Sequence, residues 1–174
     1  GVGKIYATMA MTYLCENYQL EKVVNIWVVG NLLWDAMQVG DVIIPNTFLQ
    51  HDVYIPNFLD ELSYLRDPIF IEYAIWENYD LQKFSLRLSG ICVTGDQFID
   101  DADTIEKLAQ DYGADIVDME AYAVLSVAKN YDILDKCVAI KSVSDGADSE
   151  AAKDHKDNLS FAMENAIAIL DFTL

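Results

Sequence analysis

The sequence predicts a three-layer α/β domain built on a mostly parallel, mixed sheet. Three observations carry that expectation. Apolar runs of strand length stand at 22–29, 114–117 and 136–143, and the first is continuous, as in a strand covered on both faces. Segments with helical spacing lie between the apolar runs, so the order reads helix, strand, strand pair, helix, strand, helix, strand, helix, strand, helix. The 174 residues are 53% hydrophobic, which suits one domain with a sizeable core and excludes a disordered chain.

The elements follow in order. Gly1-Val2-Gly3-Lys4 opens onto a helix over 5–18, with Ile5, Met9, Tyr13 and Leu14 on one face and Ala7, Ala10 and Thr12 keeping it slim. Two glycines at a helix start let backbone amides approach an anion. A nucleotide loop is nevertheless rejected, because Ile5 follows the lysine where a magnesium-binding hydroxyl belongs. The strand over 22–29 stops at Gly30-Asn31, and 32–39 reads equally as turn or short helix. Gly40-Asp41 makes a turn before the strand Val42-Ile43-Ile44-Pro45, and a second extended piece spans 47–54.

Residues 55–67 read as a long aromatic loop, and Tyr54, Ile55, Phe58 and Leu59 are the side chains a subunit interface would use. Pro68 in first position predicts a helix to about 79, followed by a strand over 85–94. Asp103-Thr104 caps a helix over 105–112. The strand at 114–117 runs into a helix over 119–129, and the strand at 136–143 ends in Ser144-Asp145-Gly146-Ala147-Asp148. The stretch 148–157 is charged and expected to be mobile, and the last helix covers 158–172.

Composition removes several classes of function. With 11 basic against 29 acidic residues the formal charge is −18, so neither nucleic acid nor an anionic membrane is expected as a partner. Anionic substrates are repelled for the same reason. Cys15, Cys92 and Cys137 are scattered and read as buried thiols in a reducing, cytoplasmic setting. No apolar run reaches the roughly 18 residues of a membrane helix. Two histidines and dispersed cysteines make a metal site improbable, and no cofactor motif is present. His51-Asp52 is a candidate hydrogen-bonded pair, whereas His155, among Lys153, Asp154 and Lys156, reads as solvated surface.

Chemistry concentrates at strand ends, where ligands of open α/β sheets collect. Glu120 sits where a strand passes into a helix, and Asp145 follows the next strand. Taken singly, an acid in a first helical turn satisfies the dipole, and an aspartate in Ser-Asp-Gly closes a turn. Together, on successive strands, they offer a holder for a vicinal diol and a proton donor. Gly95-Asp96-Gln97-Phe98-Ile99 adds a flat apolar face and a free backbone edge. A heteroaromatic ring joined to ribose needs that set.

Val117-Asp118-Met119-Glu120-Ala121-Tyr122-Ala123, Ser144-Asp145-Gly146-Ala147-Asp148, Gly95-Asp96-Gln97-Phe98-Ile99 and Val39-Gly40-Asp41 together resemble the 5'-methylthioadenosine/S-adenosylhomocysteine nucleosidases of the purine nucleoside phosphorylase superfamily. The resemblance runs from Gly1 to the last helix. It implies a nucleoside phosphorylase-like domain over 1–174 that hydrolyses an N-glycosidic bond and releases adenine. Asp145 would protonate purine N7, Glu120 would hold the ribose hydroxyls, and Phe98 would stack on the base. Ile99 would bind the base edge through its backbone, Met119 would pack by the ribose, and Phe161 would line the 5'-alkylthio pocket.

The resemblance also implies a homodimer, and a further strand upstream of Gly1 that carries the water-activating glutamate. One departure is internal: Val29 stands where the family carries a serine near the water or phosphate position. Two other readings share this pattern. A phosphorylase needs arginine or hydroxyl donors at the phosphate position, yet the only arginines are Arg66 and Arg87. A non-catalytic nucleoside binder would keep the fold and a degraded pocket; the valine favours it, while Glu120 and Asp145 speak for catalysis.

Overall fold

The computed structural model describes residues 1–33, 36–58, 60–73 and 85–170. Among these, helix α1 (Lys4–Asn17) leads into β1 (Val23–Asn31), β2 (Val42–Ile43), β3 (Thr47–Gln50), β4 (Ile69–Phe70), β5 (Leu86–Arg87) and β6 (Ile91–Thr94). Then come α2 (Ala102–Tyr112), β7 (Ile116–Asp118), α3 (Ala121–Asn130), β8 (Cys137–Asp145) and α4 (Ala151–Ala168). The strands form one mixed sheet in the order β4-β3-β6-β7-β1-β8-β2-β5. This is the α/β architecture the apolar runs predict. No helix among the described residues is long and apolar enough to cross a membrane.

The sheet is organised around β8. All nine of its residues are buried, so it is covered on both faces as its apolar composition demands. It pairs in parallel with β1 from Val23↔Cys137 to Val29↔Val143, and then the register slips so that Gly30 faces Asp145. At the same place β1 turns to pair antiparallel with β7 through Gly30↔Val117 and Asn31↔Ile116. Three strand ends therefore meet at Gly30. A side chain there would press within 3.0 Å of the Ala147 methyl, 3.1 Å of Val117 and 3.2 Å of Asp145 Oδ1, so the convergence needs a glycine.

Four expectations are corrected. Residues 69–70 do not start a helix: Ile69 is buried, Phe70 is 62% exposed, and the two pair antiparallel with β3. That alternation is the period of a strand, and Asp67 before the proline is extended at φ −62°, ψ 133°. The remainder of the proposed helix, from 74 on, lies outside the described residues. The strand over 85–94 is two strands, because Gly90 at φ 156° breaks the run and sends β5 to β2 and β6 to β3 and β7.

In α1, Ala7 and Met11 face the core, while Ile5, Met9 and Tyr13 are 58–70% exposed. The helix rests on Ala7 and Met11, and Ile5, Met9 and Tyr13 turn outward. Finally, the charged stretch at 148–157 is ordered. Asp148 Oδ1 accepts from the Glu150 amide at 2.9 Å, its carbonyl accepts from Ala151 at 2.9 Å, and α4 begins at once. Leu59 and residues 171–172, named above for an interface and the last helix, lie outside the described residues.

Helix α4 is fixed across the sheet by the turn before β2. Asn165 Nδ2 donates to the Gly40 carbonyl at 2.8 Å, and the Gly40 amide donates to Val143 at 2.8 Å. Gly40 has φ 92°, and a methyl group on it would overlap the Phe161 ring. Gly40→Ala is expected to destabilise the protein by about 1–3 kcal/mol, read as a lower urea midpoint at unchanged slope.

Candidate active site

The start of α3 settles what Glu120 is free to do. The helix's first amides are satisfied elsewhere: Ala121 donates to Asp118 Oδ2 at 3.0 Å, and Tyr122 donates to Thr94 Oγ1 at 3.1 Å. Glu120 occupies the cap position without a side-chain cap bond. Its Oε1 instead accepts the Gly3 amide at 2.8 Å. Burial pushes its pKa up, the Gly3 amide opposes that, and the neighbouring Asp118 carboxylate adds to it. The glycine-rich start of α1 thus receives anions from the chain itself, since the Lys4 amide likewise donates to Asp96 Oδ1 at 2.7 Å.

Asp118 is held in place by a buried ion pair. Lys141 Nζ lies 2.8 Å from Asp118 Oδ2, and Thr94 Oγ1 donates to Oδ1 at 2.6 Å. The side chains of Lys141 and Asp118 are 0% and 1% exposed. This cluster ties β6, β7, β8 and α3 together directly beneath Glu120.

Asp145 closes β8 and is 3% exposed. Its Oδ1 accepts the Ala147 amide at 3.0 Å, which is the turn-closing role. Its Oδ2 accepts from Ser144 Oγ at 2.7 Å and lies 3.5 Å from His155 Nδ1. Burial pushes its pKa up; the Ser144 hydroxyl, the Ala147 amide and His155 offset only part of that rise. A carboxyl so placed keeps a proton further toward neutral pH than a solvated aspartate does.

These groups share one cavity of about 350 Å³, within the range of small-ligand sites. It is lined by Phe98, Ile99, Met119, Glu120 and Asp145, five of the six residues predicted for the site. Phe98 is 45% exposed and Ile99 7%. Phe161 is not among the lining residues. It sits six residues beyond His155 on α4, roughly 120° away around a helix of about 3.6 residues per turn, and faces Gly40 instead.

His155 is the functional candidate the sequence missed. It lines the cavity, and its ring meets Phe98 edge-on at 5.8 Å between centroids. The only sequence signal was its spacing of four from Ala151 and three from Asn158 on one helical face. His51 does not pair with Asp52: Asp52 binds Lys4 Nζ at 2.6 Å and the Asp96 amide at 2.9 Å. The His51 ring packs over Gly95 instead.

Along β1, Val28, Val29 and Gly30 border the cavity and bring no hydroxyl to it. Neither arginine lines it, and Arg87 is paired with Asp115 at 3.0 Å. Among the described residues no group of three or more His, Cys, Asp or Glu is placed to hold a metal ion. The arrangement can bind a flat ring and a diol, and can deliver a proton from a desolvated carboxyl.

Comparison with known proteins agrees with the fold just described. The sequence profile of the family described as "Phosphorylase superfamily" matches residues 1–174. A 5'-methylthioadenosine/S-adenosylhomocysteine nucleosidase of Tolumonas auensis is 32% identical, over 98% of this chain and 76% of that protein. An aminodeoxyfutalosine nucleosidase of Helicobacter pylori is 28% identical, over 92% of this chain and 68% of its own length. Among solved structures, a futalosine hydrolase of Helicobacter pylori superposes with a TM-score of 0.81 at 25% identity, covering 98% of this chain and 75% of that one. A 5'-methylthioadenosine/S-adenosylhomocysteine nucleosidase of S. pneumoniae, solved with a transition-state inhibitor, superposes with a TM-score of 0.85 over 98% and 76% of the two chains; at 22% identity it speaks for the fold.

Proposed function

The chain belongs to the phosphorylase superfamily, and on that premise we propose that it hydrolyses the N-glycosidic bond of 5'-methylthioadenosine and S-adenosylhomocysteine, releasing adenine. One observation carries the reading: Asp145, a carboxyl whose pKa burial pushes up, shares a cavity of about 350 Å³ with Glu120 and the Phe98 ring.

In this reading the purine lies on Phe98, with its edge at the Ile99 backbone and N7 facing Asp145. Glu120 accepts from the ribose 2'- and 3'-hydroxyls, and Met119 packs beside the sugar. As the bond to N9 lengthens, positive charge builds on the ribose and negative charge on the purine. Proton transfer from Asp145 to N7 neutralises the leaving group, so adenine departs without charge. The ribosyl cation is captured by water. The group works only while it carries the proton, so activity falls as pH rises through the raised pKa of Asp145.

Phosphate is not the expected nucleophile. The β1 edge of the cavity supplies no arginine and no hydroxyl, and the chain carries a formal charge of −18. The full-length protein is therefore expected to form adenine from 5'-methylthioadenosine at the same rate with and without phosphate, yielding the free sugar. Product identification by chromatography tests this, and formation of the sugar 1-phosphate would move the assignment to a phosphorylase.

Association into a homodimer is part of the same proposal. The outer face of α1 exposes Ile5, Met9 and Tyr13, and Tyr54 and Phe58 are 88% and 57% exposed. The three cysteines are free thiols, as suits a cytoplasmic enzyme.

A further inference from the structure

The helix that covers the Asp145 side of the cavity carries an imidazole for which the reaction above has no use. His155 lies one turn into α4. Its Nδ1 is 3.2 Å from Ser144 Oγ, and Ser144 Oγ donates to Asp145 Oδ2 at 2.7 Å. A hydroxyl can accept one hydrogen bond while donating another. The three side chains thus form a line: imidazole N–H to hydroxyl, hydroxyl to carboxylate. His155 Nδ1 also stands 3.5 Å from Asp145 Oδ2 itself, so a small approach closes the direct path.

Two contacts hold this geometry. Asn158, three residues further along the same face, donates Nδ2 to the Ser144 carbonyl at 3.1 Å and fixes α4 against the end of β8. On its other side the imidazole rests edge-on against Phe98. The side chain is 29% exposed, enough for exchange with water, while Asp145 is almost sealed at 4%. A sealed acid that gives up its proton each turnover needs a route by which it is replaced.

We propose that His155 is the positioning and proton-supply residue for Asp145, acting through the Ser144 hydroxyl. The inference rests on the nucleosidase reading. The imidazolium Nδ1 proton moves to Ser144 Oγ as the Ser144 proton moves to Asp145 Oδ2, and the carboxyl so formed gives its proton to N7. Adenine leaves neutral, the attacking water releases one proton to solvent, and His155 takes one back. One proton enters on the imidazole side and one leaves on the water side, so the cycle balances.

The charged groups sharing the cavity with His155 are Asp145 from β8, Asp118 and Glu120 from the β7–α3 junction, and Lys156 from α4 itself. Asp118 is neutralised by Lys141, and the Phe98 loop contributes only Gln97, Phe98 and Ile99. Among these groups the imidazole is the one whose Nδ1 stands within 3.5 Å of the Asp145 carboxyl.

The test uses the full-length protein and 5'-methylthioadenosine. His155→Gln is expected to lower kcat by roughly 10- to 100-fold, the worth of a charge-assisted hydrogen bond, with KM changed less than about twofold. The pH profile of kcat should shift, and added imidazole should restore turnover to His155→Ala. An unchanged kcat and pH profile in His155→Gln, or a rise in KM alone, overturns the proposal. Wild-type protein that forms no adenine would overturn the nucleosidase reading and this proposal with it, whereas an active wild type with an equally active His155→Gln variant overturns this proposal alone.

Discussion

Asp145→Asn is expected to lower kcat for adenine release by roughly 10²- to 10⁴-fold, the contribution of a general acid, and at the same time to raise Tm at neutral pH. The first effect follows from chemistry. An amide can keep the Ala147 bond on its oxygen and can donate to a turned Ser144 hydroxyl through its nitrogen, but it has no acidic proton to give N7, so the purine must leave as an anion. The second follows from linkage. Burial raises the pKa of Asp145 in the folded protein above its value in the unfolded chain. Its contribution to stability is therefore fully present below the unfolded value and is lost as pH rises through the folded value. At pH above that folded value the wild-type protein holds an ionised carboxylate where burial disfavours it, and the asparagine variant does not. The Tm difference should shrink to nothing in acid. A variant that is both slow and less stable at neutral pH would mean that Asp145 is a turn-closing residue rather than a strained acid.

Lys141→Met is expected to destabilise the protein by about 3–5 kcal/mol, the cost of leaving one partner of a buried pair uncompensated. Nothing replaces the lysine, because the ammonium and the Asp118 carboxylate are 0% and 1% exposed and meet at 2.8 Å. The loss is not simply the removal of an attraction: it is a carboxylate abandoned in the core. Asp118 also accepts from Thr94 and from the first amide of α3, so deleting it would uncap the helix as well. The informative second variant is therefore Lys141→Met with Asp118→Asn. It keeps the cap, removes the charge, and should recover most of the loss in a urea titration. If the single variant were within about 1 kcal/mol of wild type, the pair would be as weak as a solvated one.

The parts of the fold that could be read in advance are those where burial on both faces leaves a continuous apolar record. Val138, Ala139 and Ile140 announce β8, and Val23 to Val29 announce β1. The site followed from them, because strand ends are where the next residues must leave the sheet, and Glu120 and Asp145 are those residues. What could not be read was the third dimension of short or evenly mixed segments. Ile69 and Phe70 form only two residues of strand, too few for a period to declare itself against the proline before them. In α4 the buried positions are Ala151, Ala162 and Ala166, which leave a faint hydrophobic stripe under a run of charges. Its first turns therefore read as mobile surface, and His155 reads with them as solvated. Phe161, which the resemblance places in the alkylthio pocket, borders Gly40 because six residues of helix turn it roughly 120° from His155.

The most direct measurement of the central claim is a crystal structure of full-length Asp145→Asn protein soaked with 5'-methylthioadenosine. The account predicts an uncleaved nucleoside in the cavity, its purine on the Phe98 ring, N7 within hydrogen-bond reach of the side chain at position 145, and the ribose hydroxyls on Glu120. Cleaved product in that variant, or a nucleoside bound with its sugar away from Glu120 and its base away from position 145, would contradict it.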